Sequence, residues 1–133
     1  MPLRSNVRRA AFRHAKTLAA VAAATLIAAN SANAAGNAAH GEELYRDCGA
    51  CHSIEKNGVG PSHKGVIGRT AGTVAGYDYS PELKNSKIVW TEENLDKWLA
   101  GPEKLVPGTK MFYEVDDPKD RADIIAFLKE KAK

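Results

Sequence analysis

Cys48-Gly49-Ala50-Cys51-His52 brings two thiols and an imidazole together, and the chain has no other cysteine. C-x-x-C-H is a haem-attachment pattern with a physical reason behind each part. The thiols add to the two haem vinyl groups, and two intervening residues set the reach between them. The adjacent histidine then binds the iron as its proximal ligand. Two other chemistries fit less well. A thioredoxin-like C-x-x-C needs a surrounding βαβ pattern, which the sequence lacks. A zinc site needs about four ligands, and no second Cys/His pair follows. A Cys48–Cys51 disulfide would close a tiny loop and join nothing distant.

A low-spin electron-carrying iron needs a sixth ligand. Apart from Met1, the only methionine is Met111. It ends Val106-Pro107-Gly108-Thr109-Lys110-Met111, a turn-rich stretch suited to presenting a side chain rather than packing one. A thioether is soft and favours ferrous iron, so His52/Met111 ligation would raise the reduction potential. A lone methionine can also be core filler. Among the histidines, His14 falls in the N-terminal segment, and His40 is expected exposed on the first helix. His63 follows Gly60-Pro61-Ser62 and offers a competing bis-His arrangement.

The elements that must hold these groups read as helices and loops. Apolar and polar residues alternate little, so strands are not expected. Helices are expected over 38–50, 91–100 and 117–131. Thr91 and Asp117 are the N-caps, Glu92 and Glu93 suit the positive end of the second, and Gly101-Pro102 ends it. Pro118 suits the first turn of the last, Lys129, Lys131 and Lys133 its negative end, and Ile124, Ile125, Phe127 and Leu128 form its buried stripe. A short helix is expected over 80–85. Between these lie Gly- and Pro-rich loops, long enough to wrap something functional.

The N-terminal third reads differently. Arg4, Arg8, Arg9, Arg13 and Lys16 precede an alanine-rich apolar run from Thr17 to Ala29, and Ala32-Asn33-Ala34 follows. Basic, apolar, small is the order of a secretory signal, with cleavage expected after Ala34. The run is shorter and less hydrophobic than a spanning helix requires. The domain is therefore expected at 35–133, and the compartment is the periplasm. Residues 1–34 hold five of the 19 basic residues and none of the 16 acidic ones, so the remaining 99 residues carry a net charge of −2. That balance argues against nucleic-acid binding, which needs a basic surplus on one face. So small a domain usually needs a disulfide, metal or cofactor to be stable, and haem fills that role.

Over residues 38–131 the chain resembles the class I cytochromes c, the family of mitochondrial cytochrome c and its small bacterial periplasmic relatives. The resemblance rests on Cys48-Gly49-Ala50-Cys51-His52, Gly60-Pro61, Gly68-Arg69, Gly76-Tyr77-Asp78-Tyr79, Ile88-Val89-Trp90, Pro107-Gly108-Thr109-Lys110-Met111 and Arg121-Ala122-Asp123-Ile124-Ile125-Ala126-Phe127-Leu128. It implies an all-α cytochrome c fold: three main helices, shorter helices and loops wrapping one haem c, bound through two thioethers. It implies roles as well. The Pro61 carbonyl would take the His52 Nδ1–H, and Tyr79 and Trp90 would donate to a haem propionate with Arg69 nearby. Thr109 would steady the propionate side of the methionine loop, and the first and last helices would cross at Gly41 beside Tyr45 and Phe127. Three positions depart from the family. Trp98 stands where a tyrosine usually lies near the methionine sulfur, Leu83 replaces a polar residue that helps hold a water, and His63 replaces an apolar one.

The expected function is soluble one-electron transfer between redox proteins by a monomer, without catalysis. The donor would be a quinol-oxidising complex or a dehydrogenase, and the acceptor a terminal oxidase. Two alternatives stand beside it: a haem subunit of a periplasmic dehydrogenase, and a peroxidase or gas-binding haem if Met111 dissociates. Lys56, Lys64, Lys84, Lys87, Lys104 and Lys110 are expected to frame the haem crevice. Asp116, Asp117, Asp120 and Asp123 gather at the start of the last helix.

Overall fold

The computed structural model describes residues 35–133, and the leader expected over 1–34 lies outside them. Among the described residues the regular structure is helical: α1 (Ala38–Cys48), α2 (Pro81–Asn85), α3 (Glu92–Ala100), α4 (Pro102–Leu105) and α5 (Pro118–Lys131). The local signals act as expected. Thr91 Oγ1 accepts from Asn94 N at 3.1 Å and Asp117 from Lys119 N at 2.8 Å. Ser80 adds a third cap, its Oγ accepting from Leu83 N at 3.2 Å. α1 is shorter than its sequence suggests. Its N-cap is Asn37, and the chain leaves the helix as turns that carry Cys51 and His52. Gly101-Pro102 ends α3 but also begins α4, because proline suits the first position of a helix as well as the end of one.

α1 and α5 cross at Gly41, as the family resemblance implies. A Cβ there would lie 1.9 Å from the Asp123 carbonyl oxygen, so only glycine admits the approach. Tyr45 and Phe127 pack beside the crossing, ring centroids 4.9 Å apart. Ile124, Ile125, Phe127 and Leu128 are buried, facing Leu95, Trp98 and Leu99 of α3. Arg121 fastens α5 to α3 through Asp96 at 2.7 Å, and to the chain after Met111 through the Val115 carbonyl at 2.9 Å.

The crossing also buries a carboxylate. Asp123 accepts from Asn37 N at 2.6 Å, His40 Nδ1 at 2.8 Å and Lys119 Nζ at 2.6 Å. His40 is thus half-buried and paired with Asp123, not free on the surface of α1 as the sequence suggested. Lys119 first, then Asn37 N–H and His40, holds the Asp123 carboxyl well below the usual range. The depressed folded value lies below the unfolded one of about 3.9. The stability it contributes is therefore present above about pH 4 and is lost as pH falls through the folded value. Asp123→Ala is expected to cost about 2 kcal/mol at neutral pH, since hydrogen bonds to a charged group are lost and Asn37 N–H is left unpaired. Urea unfolding of both forms should show that difference shrinking below about pH 4, and a constant gap would remove Asp123 as its cause.

The loops are stitched to one another rather than to a sheet. Thr70 and Val89 form an isolated antiparallel bridge, flanked by Trp90 N→Arg69 O at 2.9 Å and Ala71 N→Ile88 O at 2.7 Å. This brings Arg69 beside Trp90. Asn57 joins two further loops, accepting from Ser62 N at 2.9 Å and donating to Ala75 O at 3.0 Å.

Candidate haem site

The loops and α3 enclose a cavity of about 460 Å³. Cys48, Cys51, His52, Pro61, Arg69, Tyr79, Trp90, Trp98, Thr109 and Met111, every site residue expected from the sequence, line it. They arrive from four places. The end of α1 and the turn after it supply Cys48, Cys51 and His52. The loop after it supplies Pro61 and Arg69, the segments around α2 and α3 supply the aromatic residues, and the stretch after α4 supplies Thr109 and Met111.

His52 is oriented from one edge. Its Nδ1 donates to the Pro61 carbonyl at 2.8 Å, which leaves Nε2 unprotonated and able to ligate. Burial holds the imidazole below its usual pKa, and the Pro61 bond works the other way. Gly60 closes on the same ring: a Cβ there would sit 2.3 Å from His52 Cε1. In the sequence Gly60 is visible only as half of the Gly60-Pro61 pair. Its signal was a glycine next to the residue whose carbonyl must reach the ligand.

The thiols stand differently. Cys51 is exposed and Cys48 is partly buried. Burial, reinforced by Asp47, pushes the Cys48 thiol up to about 11.

On the aromatic side, Trp90 and Trp98 are buried edge to face, centroids 5.1 Å apart. The Tyr79 hydroxyl accepts from Val74 N at 3.2 Å, and burial raises its pKa, which keeps the O–H available as a donor. Tyr77 packs against the Tyr79 ring at 4.7 Å and donates to Val59 O at 2.7 Å, a support the sequence did not reveal. Arg69 is held by the Ser62 carbonyl at 3.0 Å and by the Lys64 carbonyl. Thr109 and Leu83 are buried in the wall.

His63 lies beside His52, not across the cavity from it. The two rings stack with centroids 4.2 Å apart and planes 20° apart, and His63 Nδ1 is 2.8 Å from the Tyr45 hydroxyl. Burial, then His52 and Arg69, pushes the His63 pKa down to about 3.

Three of the lysines expected to frame the crevice are paired: Lys64 with Glu55, Lys104 with Glu114 and Lys110 with Asp78. Exposed pairs of this kind blunt the charge asymmetry suggested by the sequence.

The cavity suits haem. Its volume falls in the range of cofactor sites. Its walls are mainly apolar, with Val66, Leu83, Leu95 and Trp98 among them, and two thiols, an imidazole and a thioether face the same space.

Residues 38–131 match the family model described as "Cytochrome c". The chain belongs to the cytochrome c family. It is 45% identical to cytochrome c2 of Rhodomicrobium vannielii over 113 residues, covering 82% of this chain and 90% of that protein. It is 51% identical to cytochrome c of Euglena viridis over 98 residues, covering 71% and 96%. The solved structure of cytochrome cH from Methylobacterium extorquens is similar at a TM-score of 0.70 and 53% identity, covering 72% of this chain and all of that one. As a class I c-type cytochrome the protein has an all-α fold and carries covalently bound haem c, and Cys48 and Cys51 have the spacing that attachment requires. Among the described residues no helix is long and apolar enough to cross a membrane.

Proposed function

We propose that the domain at 35–133 is an exported one-electron carrier whose haem is held by thioethers at Cys48 and Cys51 and ligated by His52 and Met111. Haem supplies the ferric/ferrous couple, and the chain holds it, orients it and keeps water away. The observation that carries this reading is the His52–Pro61 bond at 2.8 Å, in the wall of the cavity that Met111 also lines. That bond leaves His52 Nε2 free for iron, and Met111 in the same lining would offer a soft second ligand. Were His52 and Met111 both to hold the haem iron, no site would be open to a substrate, which favours electron transfer over catalysis. The position of His63, next to His52 and tied to Tyr45, argues against a bis-His arrangement.

Tyr79, Trp90 and Arg69 are suited to receive the propionates, and the Arg69–Trp90 juxtaposition gives one cation and one donor on adjoining loops. Thr109 would steady the propionate side of the methionine loop, and Trp98 would stand near the methionine sulfur. A quinol-oxidising complex or a dehydrogenase fits as donor and a terminal oxidase as acceptor, with the periplasm as the compartment.

Intact mass spectrometry of the exported protein should show a chain beginning at Ala35 plus one haem. Free thiols at Cys48 and Cys51 would sink the attachment, and retained residues 1–34 would sink the processing.

A further inference from the structure

His63 has no task in electron transfer as described, yet it is among the most tightly engaged side chains of the site. Its ring lies on that of His52, centroids 4.2 Å and planes 20° apart. Its Nδ1 meets the Tyr45 hydroxyl at 2.8 Å. Tyr45 is itself gripped by Phe127 of α5, at 4.9 Å between centroids. A continuous path thus runs from the helix crossing to the proximal histidine. The Pro61 bond fixes one edge of His52, and the Gly60 backbone lies against its ring. The stacked His63 ring adds a planar contact that favours one orientation of the imidazole plane.

We propose that His63, held by Tyr45, is a positioning residue that sets the plane of the His52 imidazole. The inference rests on His52 being the iron ligand. Tyr45 Oη and His63 Nδ1 stand 2.8 Å apart, a hydrogen bond that ties the His63 ring to α1. An apolar side chain could fill the same volume, but it could not take the Tyr45 hydrogen bond. Its angle against His52 would follow from packing alone. The wall would also become less polar and would stabilise ferric charge less.

The test uses the haem-loaded protein with His63→Leu, Tyr45→Phe and both changes together. Two quantities are read: the spread of haem methyl proton shifts in the ferric state, which follows the plane of the axial imidazole, and the reduction potential. Each single variant should change the spread. The double variant should go no further than His63→Leu, because Tyr45 acts through His63. The potential should rise in His63→Leu. Reduced stability with unmoved shifts and potential would reduce His63 to packing and overturn the proposal, as would additive effects in the double variant. Tyr45→Phe keeps the ring between His63 and Phe127, so it reports even if His63→Leu folds poorly. The unaltered protein separates the two levels of failure. A ferric spectrum without nitrogen ligation overturns His52 as ligand, whereas a normal low-spin spectrum with unmoved methyl shifts overturns the positioning role alone.

Discussion

Met111→Ala is expected to abolish the weak sulfur-to-iron charge-transfer band of the ferric protein and to lower the reduction potential by a few tenths of a volt. Axial ligands set haem potentials over roughly 0.8 V, and thioether ligation belongs at the high end because soft sulfur favours the ferrous state. The structure explains why the side chain can be committed to this task. α4 ends at Leu105, Thr109 N bonds back to Val106 O at 3.1 Å, and Gly108 takes a φ of 89°. These turns bring a non-helical segment to the cavity edge. Lys110, next to the methionine, is pinned to Asp78 at 2.9 Å, so the segment is tied to the opposite loop. An optical redox titration of the purified variant measures both quantities. A band that persists would remove Met111 from the iron. If carbon monoxide or cyanide binds the unaltered protein tightly at neutral pH, the ligand is labile and the gas-binding or peroxidase alternative gains.

The parts of the molecule legible in the sequence are those fixed by local chemistry. Thr91 and Asp117 announce helix starts because a side-chain oxygen must meet a backbone N–H two or three residues on. Cys48, Cys51 and His52 are legible because haem attachment depends on spacing along the chain. Gly101-Pro102 ends α3 as the sequence suggests, while the start of α4 there depends on the conformation of Gly101, which composition does not fix. The two histidine readings that differ share a cause, partners remote along the chain. His40 reads as exposed because its partner, Asp123, lies 83 positions away across the helix crossing. His63 reads as a possible distal ligand for the same reason. Its stacking on His52 and its bond to Tyr45 are set by how the loop folds back after Pro61. The tasks of Gly60 and Asn57 are not legible either. Their work is to let one backbone approach a ring and to join two loops, and neither leaves a periodic trace.

Gly41→Val should be the most damaging substitution outside the haem ligands, costing more than about 3 kcal/mol, and Gly41→Ala should follow closely. Alanine gains about 1 kcal/mol over glycine in helix propensity. The packing term is of opposite sign and larger. A Cβ at residue 41 would meet Asp123 O at 1.9 Å, Asp123 C at 2.5 Å and Phe127 Cβ at 2.9 Å. Two of those atoms are backbone of a helix and cannot rotate away, so α1 and α5 must separate. Separation pulls Asn37 N–H and His40 from the buried Asp123 carboxylate and parts Tyr45 from Phe127. Overpacking in a tight core typically costs 1–3 kcal/mol, and the lost bonds to a buried charge add to it. Gly68 provides the contrast. Its φ is 83°, but nothing lies within 4 Å of the Cβ position, so Gly68→Ala should carry only the left-handed strain of about 1–2 kcal/mol. Denaturant midpoints of the two alanine variants, measured with haem bound, decide the matter. Equal losses would mean that the helix crossing yields to an added methyl and that Gly41 is there for backbone freedom alone.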